Sequence, residues 1–401
     1  MLFNSYTIFI YILFFVLIYN VVKWITTNIW VRNLLIFFGN ILILLTLVKE
    51  HTLIVLSVFS VLIYFIGKIL QHKNSRILLT SSISIILLLF VIRNYPYIQN
   101  QLSDGIFSFI NAPILSVQKL GISYILFRLI HFLVESYRKK IQRSNFITFL
   151  NYILFFPTFI AGPIDTYNNF AYWVGHERKS YDWKLFFAGI SRILIGAVKV
   201  VGIVPLIIVY ATDYTTLLPD FSAWWAIILS LLLYSVYIYL DFSGYSDISI
   251  GTAYMIGIKT PENFNNPYIS QSLAEFWKRW HITFSSFLKM YVFKPTIRVF
   301  SSFINVKHRL LITILSYIVT FTICGLWHGS SINYVYWGLW HGVGLAINKV
   351  WTSQLKPRFA FCNSTGYKIA SIILTFIYVT IGFVFFQYSQ NQLIELFKLL
   401  S

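Results

Sequence analysis

The length and composition of the chain exclude a water-soluble globular protein. Of its 401 residues, 58% are hydrophobic and only 11% are charged, and no soluble core could hide so much apolar surface. The formal net charge of +18 would suggest a nucleic-acid partner in a soluble protein. Here the Lys and Arg residues fall mostly between apolar runs, where they indicate membrane topology, so we expect contacts with membrane lipids and none with nucleic acid.

Ten apolar runs are candidates for transmembrane helices, because a bilayer core of about 30 Å requires about 20 helical residues. Together they predict an all-α, polytopic integral membrane protein, with residues 1–401 forming a single membrane domain. In chain order the runs are 6–22, 33–48, 53–70, 77–92, 106–134, 185–211, 223–257, 310–327, 333–349 and 369–387.

Three segments depart from a simple span. Segment 146–164 runs into FFPTFIAGPID, where two prolines and a glycine interrupt the helix, so it predicts a re-entrant element shielded by protein. Run 223–257 contains the polar stretch DFSGYSD at 241–247, which predicts a kinked or tilted helix with a polar inner face. Segment 275–287, EFWKRWHITFSSF, predicts an amphipathic interfacial helix with one aromatic face.

Basic loops predict the orientation of the chain, because cytoplasmic loops are enriched in Lys and Arg. These loops lie on alternate connections, which places the N-terminus outside the cell and predicts a multi-pass protein of the plasma membrane. The predicted cytoplasmic loops contain Lys23 and Arg32, Lys73 and Arg76, RKKIQR at 138–143, and the basic segment 259–309.

Two histidines stand in the apolar stretch CGLWHGSSINYVYWGLWHG, 324–342. Burial favours the neutral imidazole, whose bare nitrogen can accept a proton from a hydroxyl, so His328 is a candidate general base. The alternative is a helix-end histidine that is hydrogen-bonded to a backbone carbonyl. For His341, a satisfied packing role is favoured over catalysis.

Four other ionisable side chains are candidates for a site. His281 lies in the aromatic segment 275–287, where the alternative is an interfacial helix whose neighbouring basic residues meet lipid headgroups. Carboxylates in apolar segments are costly unless they are paired or face water, so they are functional candidates by default. They could equally orient a histidine, or bond to Arg128 or Arg192. The three carboxylates are Asp165, Asp241 and Asp247.

Familiar catalytic and metal-binding signatures are missing from the sequence. No GxSxG, P-loop or HExxH motif occurs, and Cys324 and Cys362 lack the spacing of a metal or redox site. We therefore expect no metal and no permanently bound cofactor, and any chemistry belongs to histidine.

Several motifs in series make the chain recognisable. They are LGISYILFR (120–128), FFPTFIAGPIDTYNNF (155–170), YLDFSGYSDISIG (239–251), GIKTPENFNNPYIS (257–270), EFWKRWHITFS (275–285), and CGLWHGSS with GLWHGVGLAIN (324–348). In this order the chain resembles the membrane-bound O-acyltransferase family, in its bacterial branch of D-alanyl transfer and polysaccharide O-acetylation proteins. One departure is SFLKMYVF, 286–293, which lacks the Arg-Asp pair that usually follows in that branch.

The resemblance implies a fold of many helices around a central funnel or tunnel. The invariant histidine of the family falls on His328, and its second characteristic histidine falls on His281. The implied reaction moves an acyl group from an intracellular thioester, on a phosphopantetheine carrier protein or on acyl-CoA, to a hydroxyl presented outside. Candidates to line the tunnel or contact substrate are Trp327, Asn333, Trp280, Trp277, Asp241, Asp247, Asp165 and His341.

The sequence leaves open which acyl group is transferred and to which acceptor, and it also leaves open a second class of protein. GPID, GIKTP and the short chain resemble the D-alanyl transfer proteins, whereas AGPI, DFSGYSD and CGLWHGSS resemble the acetylation proteins. The acceptor is then a teichoic acid, an exopolysaccharide or a separate extracellular relay transferase, and an acyl carrier protein is the expected cytoplasmic partner. The alternative class is a non-catalytic transporter or flippase, which would be built from two interrupted halves.

Overall fold

The structure is a computed structural model that describes residues 6–95, 97–98, 121–141, 143–175 and 182–400. Every regular element within these ranges is a helix, which confirms the predicted all-α class. Seven of the described helices are long and apolar enough to cross a membrane. They are Ile29–Leu47, Thr52–His72, Arg76–Asn94, Trp183–Thr212, Ala223–Met255, Val306–His328 and Thr365–Gln387.

The remaining predicted spans also fall on helices where the structure describes them. Residues 106–120 of the fifth predicted span lie outside the described ranges, and its continuation, Ile122–Tyr137, is a helix of 16 residues. Ile332–Val350 covers the predicted span 333–349 but is not among the seven. The predicted number of ten spans therefore stays a prediction, whereas the multi-pass character is established.

Contacts within the backbone divide the chain into two compact units. The first unit comprises residues 1–196 and 245–261, and the second comprises 197–244 and 262–401. The helices that begin in the first unit are α1 (Tyr6–Ile25), α2 (Ile29–Leu47), α3 (Glu50–His72), α4 (Arg76–Asn94), α5 (Ile122–Tyr137), α6 (Phe146–Leu154), α7 (Tyr167–Gly175) and α8 (Trp183–Ala197).

The second unit carries both candidate histidines of the resemblance. Its first helices are α9 (Val204–Thr212), which follows a π-helical stretch at Val198–Ile203, and α10 (Ala223–Met255), whose last residues belong to the first unit. The others are α11 (Leu273–Arg279), α12 (Ile282–Leu288), α13 (Lys294–Phe303), α14 (Arg309–His328), α15 (Ile332–Val350), α16 (Thr365–Gly382), α17 (Val384–Gln387) and α18 (Gln390–Leu400). The polar stretch DFSGYSD does not interrupt α10, which is a continuous helix of 33 residues.

The predicted interruption of the helix in segment 146–164 is present after residue 154, and the buried side chain of Arg128 stabilises the non-helical backbone there. Helix α6 ends at Leu154, a short 3-10 turn follows at Phe156–Thr158, and no further helix begins until Tyr167. The fully buried guanidinium of Arg128 donates to the carbonyl oxygens of Tyr152, Ile153 and Thr158 at 2.7 to 3.1 Å. These carbonyls cannot all find partners within a helix once Pro157 interrupts it, so Arg128 satisfies them.

Asp165 follows this break and is buried in the first unit. Burial raises the pKa of its carboxyl from 3.8 to about 7, against the hydrogen bonds from Asn169 and Thr166 and the charge of Arg128, which lower it. Nδ2 of Asn169 donates to both carboxyl oxygens at 2.9 Å. The folded protein therefore holds a proton here between about pH 4 and 7, where the unfolded chain does not.

We expect a pH-dependent stability component that belongs to Asp165. Because the folded-state pKa is raised, this component is present at low pH and is lost as the pH rises from about 4 to 7, by at most about 1.4 kcal/mol per pH unit. In Asp165→Asn, the melting temperature in detergent should fall less than that of the wild type between pH 5 and 7.5. The exposed residue Asp220 provides the control variant, Asp220→Asn. An unchanged slope in Asp165→Asn would contradict the assignment.

The prediction of one amphipathic helix over 275–287 is wrong. Two short helices, α11 and α12, meet at His281, whose backbone is left-handed with φ +44° and ψ 55°. The extended segment before them holds this corner, because Ile282 N donates to Asn263 O at 2.8 Å and Asn265 N donates to Arg279 O at 2.9 Å. The aromatic side chains of the segment are buried in the second unit, and they are Phe276, Trp277, Trp280, Phe284 and Phe287.

Helices α14 and α15 form a tight hairpin that positions His328. A Cβ atom at Gly338 would lie 2.2 Å from the carbonyl oxygen of Phe321, and one at Gly325 would lie 2.1 Å from that of Tyr334. Real Cβ atoms do not approach backbone so closely, so glycine is what allows the two helices to touch. The turn between them begins at Gly329, directly after His328.

Candidate active site

His328 is the last residue of α14, and it is half-buried among aromatic rings. Neither of its ring nitrogens makes a hydrogen bond to a residue in the part of the chain that the structure describes. The alternative of a helix-end histidine bonded to a backbone carbonyl is therefore not what the structure contains. The ring centroids around it are those of Trp327 at 4.5 Å, Phe386 at 4.8 Å, Trp337 at 5.1 Å and Tyr334 at 6.0 Å.

His281 is buried, and a neighbouring side chain determines its tautomer. Its Nδ1 lies 3.2 Å from Oδ1 of Asn263, and the same oxygen accepts from the hydroxyl and the backbone N–H of Thr283. An amide oxygen only accepts, so Nδ1 of His281 carries the proton and the lone pair of the neutral ring lies on Nε2. Burial, and then the neighbouring charge of His328, lower the pKa of His281 to about 3, so the ring is neutral at physiological pH.

A chain of aromatic ring contacts, tilted or edge-on, joins the two histidines. The His281 ring lies 5.0 Å from Phe284, Phe284 lies 4.5 Å from Trp327, and Trp327 lies 4.5 Å from His328. The structure thus brings His281 close to Trp327 and His328, which follow it by 46 and 47 positions in the sequence.

One face of α15 carries buried polar atoms that have no hydrogen-bond partner. Asn333, Trp337 and His341 are spaced four residues apart and therefore lie on the same side of the helix. Oδ1 of Asn333, Nε1 of Trp337 and Nδ1 of His341 all lack a partner within the described ranges, and Nε1 of Trp277 does too. The ring of Trp277 lies 5.1 Å from His341 and 5.8 Å from Trp337. His341 is packed among rings, but its Nδ1 lacks the hydrogen-bond partner that a satisfied packing role requires.

Trp280 and Asn333 have structural contacts in the second unit. The indole of Trp280 stacks on Phe276 at 5.5 Å and is buried. Nδ2 of Asn333 donates to the carbonyl oxygen of Tyr388 at 2.8 Å, which ties α15 to the segment after α17. Trp280 and Asn333 therefore help to build the walls of the candidate site, and a substrate contact for either stays a prediction.

The three candidate carboxylates occupy different environments. Asp247 accepts from Nε of Arg192 at 2.9 Å in the first unit, which is the ion pair that the sequence allowed as an alternative. Asp165 is held by Asn169 in the same unit. Asp241 is half-buried on the part of α10 that belongs to the second unit. The ion pair with Arg192 accounts for the burial of Asp247, and the hydrogen bonds from Asn169 account for that of Asp165, so neither carboxylate requires a substrate contact.

Sequence reasoning missed two residues of this region. Asn263 lies within the motif GIKTPENFNNPYIS and determines the tautomer of His281, a role that nothing in the motif itself indicates. Lys199, in the π-helical stretch before α9, donates to Oγ of Ser243 at 3.2 Å and lies 5.9 Å above the ring of Tyr239. An intramembrane lysine is itself a signal of a functional site, and that signal was present in the sequence.

The class of the protein follows from this architecture together with comparison to known families. A many-helix membrane protein with a caged histidine at a helix end matches the membrane-bound O-acyltransferase family model over residues 34–390. The chain belongs to the membrane-bound O-acyltransferase family.

Individual relatives fall in the bacterial branch that the motifs indicated. The chain is 33% identical to the probable alginate O-acetylase of Pseudomonas syringae, over 68% of this chain and 49% of that protein. It is 30% identical to the teichoic acid D-alanyltransferase of Bacillus subtilis, over 79% of each chain. It is 34% identical to the peptidoglycan O-acetyltransferase of Helicobacter pylori, over 61% of this chain and 44% of that protein. The chain spans about half the length of the alginate O-acetylase relatives that it matches.

Proposed function

We propose that this protein transfers an acyl group from a thioester donor on the cytoplasmic side to a hydroxyl of a cell-envelope polymer, or of a relay transferase, on the outer side. The observation that carries the proposal is the imidazole of His328, which is half-buried in an aromatic cage and has no hydrogen-bond partner among the described residues. Such a ring is available to a substrate hydroxyl. Family membership and the names of the relatives support acyl transfer as the chemistry.

His328 is the general base of the proposed reaction. A nitrogen of its neutral ring accepts the proton of the acceptor hydroxyl while the oxygen attacks the thioester carbonyl carbon. The tetrahedral intermediate then collapses, the carbon–sulfur bond breaks, and the imidazolium returns the proton to the departing thiolate. The products are an ester and a free thiol, and the step consumes no nucleotide.

His281 positions the donor arm in this proposal. Its Nδ1 proton is engaged by Asn263, so the ring cannot polarise a thioester carbonyl through that atom. We therefore assign His281 to the positioning of the donor, and not to stabilisation of the oxyanion. The oxyanion donor is assigned to the indole of Trp327 or to a backbone N–H.

The charge distribution supports an assignment of the sides of the membrane. We propose that segment 259–309 enters from the cytoplasmic side, with its exposed basic residues facing the cytoplasm and its His281 corner folded inward against Trp327 and His328, and that the N-terminus lies outside, in the plasma membrane. The donor is then a small acidic carrier protein with a phosphopantetheine arm, or acyl-CoA. A basic surface would attract either donor by charge.

The acyl group and the acceptor are proposed from the relatives. The names of three relatives specify acetyl transfer to alginate, D-alanyl transfer to teichoic acid and acetyl transfer to peptidoglycan. The match to the D-alanyltransferase covers most of both chains, whereas the match to the alginate O-acetylase covers about half of that relative. D-alanylation of a teichoic acid is therefore our first choice, and O-acetylation of a polysaccharide is the second.

Mass spectrometry of the envelope polymers tests the proposed function. Cells with and without the gene should differ by an alkali-labile ester, either D-alanyl or acetyl, on one polymer class. Restoring the gene should restore the ester. Polymers that are identical with and without the gene would contradict acyl transfer and favour the transporter class. That class predicts a missing transported solute and unaltered esters.

A further inference from the structure

The first unit contains a cavity of about 120 Å³ where α3, α4 and α5 meet. The candidate histidines His281 and His328 belong to the other unit, so this space is not part of the site described above. Among the described residues that line the cavity, Arg93 is the one that carries a charge, and all the others are apolar. They are Val55, Leu56 and Phe59 of α3, Ile86, Leu89 and Phe90 of α4, and Ile125, Leu126 and Leu129 of α5.

The packing of the three helices explains why a space remains between them. Helices α3 and α4 pack more closely against α5 than against each other. The α4 residues on the wall, from Ile86 to Arg93, follow the spacing i, i+3, i+4 and i+7, so they share one face of that helix. Helix α5 therefore forms the floor of a groove, and α3 and α4 form its two sides.

The sides of the groove continue into surface that faces the bilayer. Phe59 and Leu89 line the groove and are half-buried. Their neighbourhood on the same helices includes Val58, which is 56% exposed, and Leu88, which is also 56% exposed. Both helices are long and apolar enough to cross a membrane, so these exposed side chains face lipid hydrocarbon. The groove is therefore next to the lipid that surrounds α3 and α4.

The lining determines what can fill the space. An engineered cavity of about 150 Å³ lined by Leu, Ile and Phe stays dry and takes up benzene. The cavity among α3, α4 and α5 has the same kind of lining and a comparable volume, so it suits a short length of hydrocarbon and not water. An empty apolar cavity also destabilises a protein, because the atoms around it lose packing contacts.

Arg93 lies at the end of the groove where a lipid headgroup would be. The 19 residues of α4 rise about 28 Å, which is close to the thickness of the bilayer core. Arg93 is in the last turn of α4, and Ile86 lies about 10 Å deeper along the same helix. Lys49 and Glu50, which begin α3 at this end, have opposite charges. A guanidinium at headgroup depth is suited to a phosphate, which it can bind with two parallel hydrogen bonds.

We propose that this groove binds an anionic phospholipid, with the phosphate on Arg93 and part of one acyl chain in the cavity. The argument rests on chemical order, because the lipid carries its anionic phosphate directly above its hydrocarbon, and the groove has its cation directly above its apolar walls. A lipid held there fills the space between α3 and α4 and joins both helices to α5. The site goes beyond the proposed acyl transfer and does not depend on it.

Equilibrium binding of two lipids with identical acyl chains tests the headgroup contact. The full chain is stripped of lipid in a phosphate-free detergent and titrated with phosphatidylglycerol, which is anionic, and with phosphatidylcholine, which is zwitterionic. We expect a preference of about tenfold for phosphatidylglycerol, since a hydrogen bond to a charged group contributes this much. In Arg93→Gln the preference should fall to about one. Arg76→Gln is the matched control, because Arg76 is exposed in the first turn of the same helix, and it should keep the preference.

Filling the cavity tests the position of the acyl chain. Leu89→Phe places a larger side chain in the groove and should weaken both lipids alike, by about tenfold, while the preference for phosphatidylglycerol remains. The matched control is Leu88→Phe, the same change at the adjacent residue on the exposed side of α4, which should bind both lipids as the wild type does. Val55→Leu fills the groove from the opposite wall and is the second variant if Leu89→Phe does not fold.

Three outcomes would overturn the inference. A preference that survives in Arg93→Gln, or that falls equally in Arg76→Gln, would exclude Arg93 as the phosphate ligand. Equal lipid binding by Leu89→Phe and Leu88→Phe would show that the chain does not enter the cavity. Displacement of the lipid by glycerol 3-phosphate, which lacks acyl chains, would indicate a site for soluble phosphates instead. If Arg93→Gln does not fold, Arg93→Lys replaces it, and the retained charge should keep a preference for phosphatidylglycerol, whose loss would contradict the site.

Discussion

Replacing His328 with alanine is expected to lower the rate of acyl transfer by about 10² to 10⁴-fold, the usual contribution of a positioned general base. The reason is the environment of the ring, which is half-buried, surrounded by Trp327, Trp337 and Phe386, and free of hydrogen bonds to described residues. Nothing in the fold depends on its nitrogens. The variant should therefore keep its melting temperature within a few degrees, and the measurement is ester formation by purified protein.

His308→Ala is the matched control for this variant. His308 is exposed and lies directly before α14, whereas His328 ends the same helix, so the two variants remove the same side chain from opposite ends of α14. Transfer by His308→Ala should equal that of the wild type. If His328→Ala kept its fold and its full transfer rate, the base would have to be another group.

Substitution of Gly338 is expected to have the largest effect on stability. A Cβ atom there would meet the carbonyl oxygen of Phe321 at 2.2 Å and the backbone nitrogen of Gly325 at 3.3 Å. Backbone cannot rotate away as a side chain can, so Gly338→Ala must separate α14 from α15. We expect a loss of roughly 1–3 kcal/mol of stability or more. We also expect reduced transfer, because α14 carries His328.

The control for Gly338→Ala is Gly366→Ala at the start of α16. A Cβ at Gly366 would have no atom within 4 Å, and alanine is the better helix former by up to about 1 kcal/mol. Its melting temperature in detergent should be unchanged or slightly higher. A Gly338→Ala protein as stable as the wild type would show that the helix contact is looser than the structure indicates.

The general architecture could be predicted from the sequence because membrane spans carry a strong composition signal. The apolar runs and the break at Pro157 were accessible in this way. The Asp247 to Arg192 ion pair was only one of several pairings that the sequence left open. A bilayer permits few backbone arrangements, so length and hydropathy predict helices with little interference from packing.

The interior of the site could not be predicted in the same way. Segment 275–287 has the spacing of one amphipathic helix, yet tertiary hydrogen bonds from residues 263–265 impose a left-handed corner at His281. Periodicity reports the preference of an isolated segment and carries no information about a partner that lies about 20 positions away. The role of Asn263 depends on this corner, so it became apparent only from the structure.

We infer that the neutral His328 imidazole joins a donor and an acceptor that arrive from opposite sides of the membrane. Sealed vesicles that hold the thioester donor on one side of the bilayer and the hydroxyl acceptor on the other test this role of His328. We predict ester on the acceptor side and free thiol on the donor side with the wild-type protein, and neither with His328→Ala. Ester that forms equally with His328→Ala, or only when both substrates share one side, would rule out this role of His328.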